Sequence, residues 1–208
     1  LSQIVLPPLL ERSMGSANAA LDTAPSKRPD FPRTSYRTLL LQLRTWIARL
    51  EPAGAGKTVW RDYAATHSYR SDEVDKKVAF VSEMAAAVRP GMLWDFGCNS
   101  GDYSKASLIA GAKYAVGFDF DHGALEAAFE RAKVEQLEFL PLLMDAANPS
   151  PSQGWAERER QSLAARASAD AILALAFVHH IAIGRNVPID RVVDWLVGLA
   201  PTGIIEFV

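Results

Sequence analysis

The sequence has a single cysteine, Cys98. An intrachain disulfide is therefore impossible, and a thiolate-rich metal site is excluded. A reducing, cytoplasmic setting fits this usage best. Long apolar runs are missing too. The longest, residues 4–10 and 171–178, fall far short of the roughly 18–20 residues a helix needs to cross a bilayer. Pro7 and Pro8 interrupt the first of them. Neither sign of charge dominates: 22 Lys and Arg face 24 Asp and Glu, for a formal net charge of −2. That balance calls for neither a nucleic acid nor a membrane as partner. The start carries no basic stretch and no small-residue cleavage site, so no secretory signal is expected. It begins at Leu1 rather than Met, and a processed product or a piece of something longer is expected.

What remains is ordinary globular material. The 208 residues are 49% hydrophobic and 22% charged, enough for a sizeable core in one domain plus an appendage, or in two small domains. Residues 13–32, rich in Ser, Ala, Pro and charge, read as a connector. Between 35 and 50, Leu39, Leu40, Leu43, Trp46, Ile47 and Leu50 recur at helical spacing. A Pro and two Gly then end that helix. A second helix is expected from Ser71, a candidate N-cap, with Asp72 and Glu73 in its first turn. Its apolar stripe is Val78, Val81, Met84, Ala85 and Val88, and Arg89-Pro90-Gly91 stops it.

From residue 92 the texture changes. Strands are expected at 92–96, 114–118, 137–143, 171–176 and 204–208. Helices are expected at 104–110, 123–134, 155–167 and 190–199. Such alternation predicts βαβ units with right-handed crossovers. The expected fold class is α/β: a doubly wound, Rossmann-like, mostly parallel sheet of about five strands with flanking helices. A helical and irregular N-terminal extension over 1–70 precedes it.

The densest chemical signal is Leu93-Trp94-Asp95-Phe96-Gly97-Cys98-Asn99-Ser100-Gly101-Asp102, where the first strand turns into a helix. Gly97 and Gly101 allow a tight turn and close approach of a ligand, and the helix start offers free amide donors. Asp119 closes the second strand, 18 residues after Gly101. In a doubly wound sheet that position can accept both hydroxyls of a ribose. Asp145, after the third strand, can accept from an adenine amino group. Asp121 reads as a helix cap.

These residues resemble the class I S-adenosylmethionine-dependent methyltransferases, whose nucleotide loop reads acid-x-Gly-x-Gly-x-Gly. Here Asn99 replaces the middle glycine, and Asn tolerates positive φ better than most residues. The resemblance covers roughly residues 60–208. More narrowly, Trp60-Arg61-Asp62-Tyr63, Thr66-His67-Ser68-Tyr69, Gly154-Trp155 and Glu159-Arg160 resemble a group of longer bacterial methyltransferases, some labelled nodulation-related. The resemblance implies a cofactor-binding domain over 71–208 that uses S-adenosyl-L-methionine and releases S-adenosyl-L-homocysteine. Asp95 and Gly97, within the loop that includes Cys98, Asn99 and Gly101, should face the methionine part. Asp119 should hold the ribose, and Asp145 and the Ala146 amide the adenine. Leu175 should lie near the sulfonium. Phe120 either packs on the adenine face or is an ordinary helix-start residue. Superfamily sheets usually have seven strands, so the C-terminal strands are expected to be missing here, with self-association or a further segment covering the exposed edge.

Competing motifs fail. A nicotinamide fingerprint needs glycine at 99 and 102, where Asn and Asp stand. Gly56-Lys57-Thr58 would need a glycine at 51, which is Glu51. The Asn-Pro-Pro-Tyr type of motif of amide- and base-nitrogen methyltransferases is absent after the fourth strand. His179-His180 follows that strand, where one imidazole can accept a proton from a hydroxyl nucleophile, or merely cap the sheet edge. Two adjacent histidines make a poor metal site. Trp60, Tyr63, His67 and Tyr69 form either a lid or a core contact. Glu206 is a cap or a substrate contact, and Cys98 a small packing residue. The expected reaction is methyl transfer to a hydroxyl or similar nucleophile of a small molecule. The alternative is a cofactor-binding module without activity, or part of a larger enzyme.

Overall fold

A computed structural model describes residues 32–50, 71–166 and 168–207. The chain divides into two compact units, Leu1–Leu50 and Glu51–Val208. In the first, helix α1 spans Arg33–Ile47. Pro32 precedes it as N-cap, where a missing amide hydrogen costs nothing.

In the second unit the elements are α2 (Ser71–Val88), β1 (Met92–Phe96), α3 (Asp102–Ala110), β2 (Tyr114–Asp119), α4 (His122–Val134), β3 (Phe139–Leu143), β4 (Ala171–Ala174), α5 (Val178–Ala182), α6 (Ile189–Val197) and β5 (Gly203–Ile205). The capping expected of Ser71 and the Asp72 carboxylate lie outside the described side chains. The five strands form one parallel sheet in the order β3-β2-β1-β4-β5. This is the Rossmann-like architecture expected, with β1 and β4 flanking the point where strand order reverses.

Strand periodicity divides the core into two layers. Leu93, Ala171 and Leu173, with Phe139 of β3, pack with Val81, Leu125 and Ala128 from the layer of α2, α3 and α4. Trp94, Phe96, Ile172 and Ala174 face Phe177, Ile181, Val192 and Leu196 in the layer of α5 and α6. Apart from Asp95, the sheet centre is apolar on both sides, as a covered parallel sheet requires.

One element departs from the sequence reading. Among the described residues of the expected helix 155–167, no α-helix forms. A short 3-10 turn at Trp155–Glu157 is enclosed by an antiparallel bridge between Gln153 and Arg160, and a second follows at Ala164–Arg166. Gly154, Ala156 and Glu157 all have positive φ, and Trp155 is 85% exposed. Among the described residues of this stretch only Leu163 reaches the core, so no apolar stripe rewards a helix. Smaller differences concern ends: α3 starts at Asp102, β3 at Phe139, β4 stops at Ala174 and β5 at Ile205. His179 and His180 lie within α5, a short helix that the sequence reading did not place.

Candidate functional site

The loop from β1 to α3 is pinned to the end of β2. Gly97 and Cys98 N–H both donate to the Phe118 carbonyl, at 2.8 and 3.1 Å. Asn99 N–H donates to Asp119 Oδ2 at 2.9 Å, and Asp121 N–H to Asp119 Oδ1 at 3.0 Å. Each Asp119 oxygen thus keeps further acceptor capacity. Gly97, Asn99 and Gly101 all have positive φ, of 74°, 47° and 83°. At Gly101 a side chain would also collide with the Phe139 ring, 2.5 Å from the added carbon. Glycine is required there on both counts. Asp121 caps α4, accepting from Gly123 and Ala124 N–H, though it is buried rather than solvated.

Burial raises the Asp119 pKa above the usual carboxylate range, against the opposing effect of its amide donors. Asp95 is more extreme. Strand parity turns it away from the Phe96 side and under the first turn of α3. There it is 2% exposed and accepts the Ser104 hydroxyl at 2.6 Å. Burial, opposed by the Ser104 bond and reinforced by Asp119 and Asp102, lifts its pKa to about 7. Cys98 is buried against Gly117, and burial pushes its thiol pKa far up, which disqualifies it as a nucleophile.

Asp145, just past β3, accepts Ala147 N–H at 3.0 Å and pairs with Arg185 Nη2 at 3.0 Å. The Ala146 N–H donates to no group among the described residues. Across the crevice, Glu206 follows β5. Its Oε2 accepts Ala176 N–H at 2.9 Å and its Oε1 pairs with Lys77 Nζ of α2 at 2.6 Å. The His179 and His180 rings lie 4.1 Å apart between centroids, tilted by 39°. His179 Nδ1 is buried without a hydrogen-bond partner among the described residues. Burial, and then the neighbouring His179, lower the His180 pKa, while Asp119 opposes this.

These groups surround a cavity of about 540 Å³ at the C-terminal edge of the sheet. Gly97, Asn99, Asp119, Phe120, Asp145, Ala146, Leu175, His179 and His180 all line it. Asp95, Cys98 and Gly101 do not; they shape the loop from behind. Sequence reasoning missed Lys77, Arg185, Tyr103 and Met144, which also line it. No motif marks them, because they reach the cavity from α2, α3 and loops far apart in sequence. Trp60, Tyr63, His67 and Tyr69 lie outside the described residues. Among the described residues, no His, Cys, Asp and Glu cluster suits a metal ion, and no helix is long and apolar enough to cross a membrane.

A parallel sheet of this order, with an acid at the end of β2 and a crevice at the switch point, is a doubly wound, Rossmann-like fold with a ligand-sized crevice where such folds bind ligands. No family model matches the chain. WbdD, a solved structure, superposes with a TM-score of 0.50 at 19% identity, over 80% of this chain and 36% of that one, a likeness of fold. TehB from Haemophilus influenzae gives a TM-score of 0.35 at 20% identity, over 55% of this chain and 33% of that one. The sequence is similar to nodulation protein NoeA of Rhizobium meliloti, with 47% identity over 205 residues. The match takes in 99% of this chain but 43% of NoeA, so the chain spans less than half the length of that relative.

The residues present fit S-adenosylmethionine. The cavity lies within the roughly 300–1,000 Å³ typical of small-molecule sites. Asp119 retains acceptor capacity for two hydroxyls. The Ala146 N–H, without an acceptor among the described residues, can serve a ring nitrogen. Phe120, 55% exposed at the wall, offers a flat apolar face.

Proposed function

We propose that the chain binds S-adenosylmethionine in this cavity and forms the methyl-transferring part of an enzyme acting on a hydroxyl or similar nucleophile of a small molecule. The observation that carries this reading is the Asp119 carboxylate. It is fixed by two backbone amides at the end of β2 and faces a crevice at the strand-order reversal. Asp119 would hold the ribose hydroxyls, Asp145 and the Ala146 N–H the adenine, and the loop at Gly97 would face the amino-acid end.

When bound, this cofactor supplies a methyl group already activated on a cationic sulfur. The protein's own work is then alignment and exclusion of water, and orientation of this kind is worth about 7–11 kcal/mol. Phe96, Phe118, Phe177 and Ile181 provide the apolar wall. His180, held toward its neutral form by burial, is suited to accept the proton that an attacking hydroxyl must lose. His179, its ring tilted against that of His180, offers a second imidazole at the same wall.

Calorimetry with S-adenosylmethionine and S-adenosylhomocysteine tests the reading. Both should bind, and Asp119→Ala should weaken both by at least about tenfold, the scale of one lost charge-assisted hydrogen bond. Absence of binding to either overturns it. Binding without turnover in the longer protein would identify a module that holds the cofactor without catalysis.

A further inference from the structure

Helix α1 separates its residue types by direction. At about 100° per residue, Trp46, Leu39, Leu43, Tyr36, Ile47 and Leu40 fall in one continuous arc of about 120°. Arg33, Arg44 and Arg37 form a row directly beside that arc, within about the next 60°. Ser35, Leu41, the threonines, Gln42 and Arg49 occupy the rest. No Asp or Glu occurs between residues 33 and 50. None of the helix residues is buried; Tyr36, Trp46 and Ile47 are 54%, 53% and 59% exposed.

A soluble helix that packs on a core normally places charges of both signs opposite its apolar stripe. Here every charge is positive, and three of the four border the stripe. Two aromatic residues with polar tips, Tyr36 and Trp46, sit within it. That arrangement matches a surface that is apolar below and anionic at the level of its rim, which is a leaflet containing anionic lipid. At 15 residues the helix is about 22 Å long, too short to span a bilayer but suited to lie in its interface. The whole-chain charge of −2 conceals this local excess.

The geometry points to α1 as an interfacial helix that docks the protein on anionic membrane lipid. This reading is independent of what the second unit catalyses. Its test is co-sedimentation of the full chain with phosphatidylcholine vesicles and with vesicles of equal parts phosphatidylglycerol and phosphatidylcholine. The anionic vesicles should bind at least about tenfold more tightly, and added salt should weaken that binding. Arg33→Ser, Arg37→Ser and Arg44→Ser together should weaken it by about a hundredfold, at roughly fivefold per arginine near the surface. Arg49→Ser, on the opposite side, should change it by less than one such step. Ile47→Asp should abolish pelleting. Absence of pelleting, equal binding to both vesicle types, or unchanged binding by the triple variant would overturn the proposal. Capture by single-stranded RNA without vesicle binding would also overturn it and reassign the arginine row to nucleic-acid phosphates.

Discussion

Asp95 should impose a pH dependence on stability that one substitution removes. Its carboxyl is buried beneath α3, with the Ser104 hydroxyl as its side-chain partner. Its pKa in the folded protein is about 7, against 3.8 for an ordinary aspartate. Between those two values the folded state holds a proton that the unfolded state releases. Stability must therefore fall as pH rises from about 4 to about 7. A difference of about three pH units, at 1.36 kcal/mol each, sets an upper bound of about 4 kcal/mol. The side-chain amide introduced by Asp95→Asn cannot ionise, yet it keeps an oxygen for Ser104. Any cost of the amide itself is nearly independent of pH and cancels from the slope. Urea unfolding at intervals from pH 4 to pH 8 is the assay. The wild type should lose several kcal/mol relative to the variant across this window, with no change in the slope against urea. Parallel stability curves for the two proteins would refute the argument from burial.

Other substitutions separate the contributions of loop, cap and crevice. Gly101→Ala combines a φ of 83° with a 2.5 Å approach to the Phe139 ring and should cost about 2–4 kcal/mol. Adding Phe139→Leu should recover the steric share but not the backbone share, as thermal unfolding will show. Glu206→Ala strips the side-chain acceptor from the Ala176 N–H and removes one ion-pair partner of Lys77, and should cost about 1–3 kcal/mol in urea unfolding. Arg185→Ala breaks a pair whose side chains are 52% and 41% exposed, so stability should change by less than about 1 kcal/mol. The same variant should still bind S-adenosylhomocysteine, whereas Asp145→Ala should bind it more weakly in calorimetry. If His180 is the proton acceptor, His180→Ala should lower turnover in the longer protein while leaving cofactor affinity within about threefold.

The sequence by itself determined the alternation of strands and helices. Short β-branched and aliphatic runs separated by helical periods leave a parallel, doubly wound sheet as the economical way to bury both faces. It also determined the β1–α3 turn, because Gly97, Asn99 and Gly101 are the residue types that accept positive φ, and the cap at Asp121, because an aspartate before a helix has nearby amides to accept. The stretch 155–167 carried charge at helical intervals but no stripe to bury, and local propensity alone could not hold it helical. Tertiary structure decided the rest. Strand parity sent Asp95 beneath α3 instead of to the cavity wall. The docking of α2 and the turn after α5 brought Lys77 and Arg185 to the crevice beside Glu206 and Asp145. Such meetings depend on where separate elements land, and no spacing within a single segment encodes them.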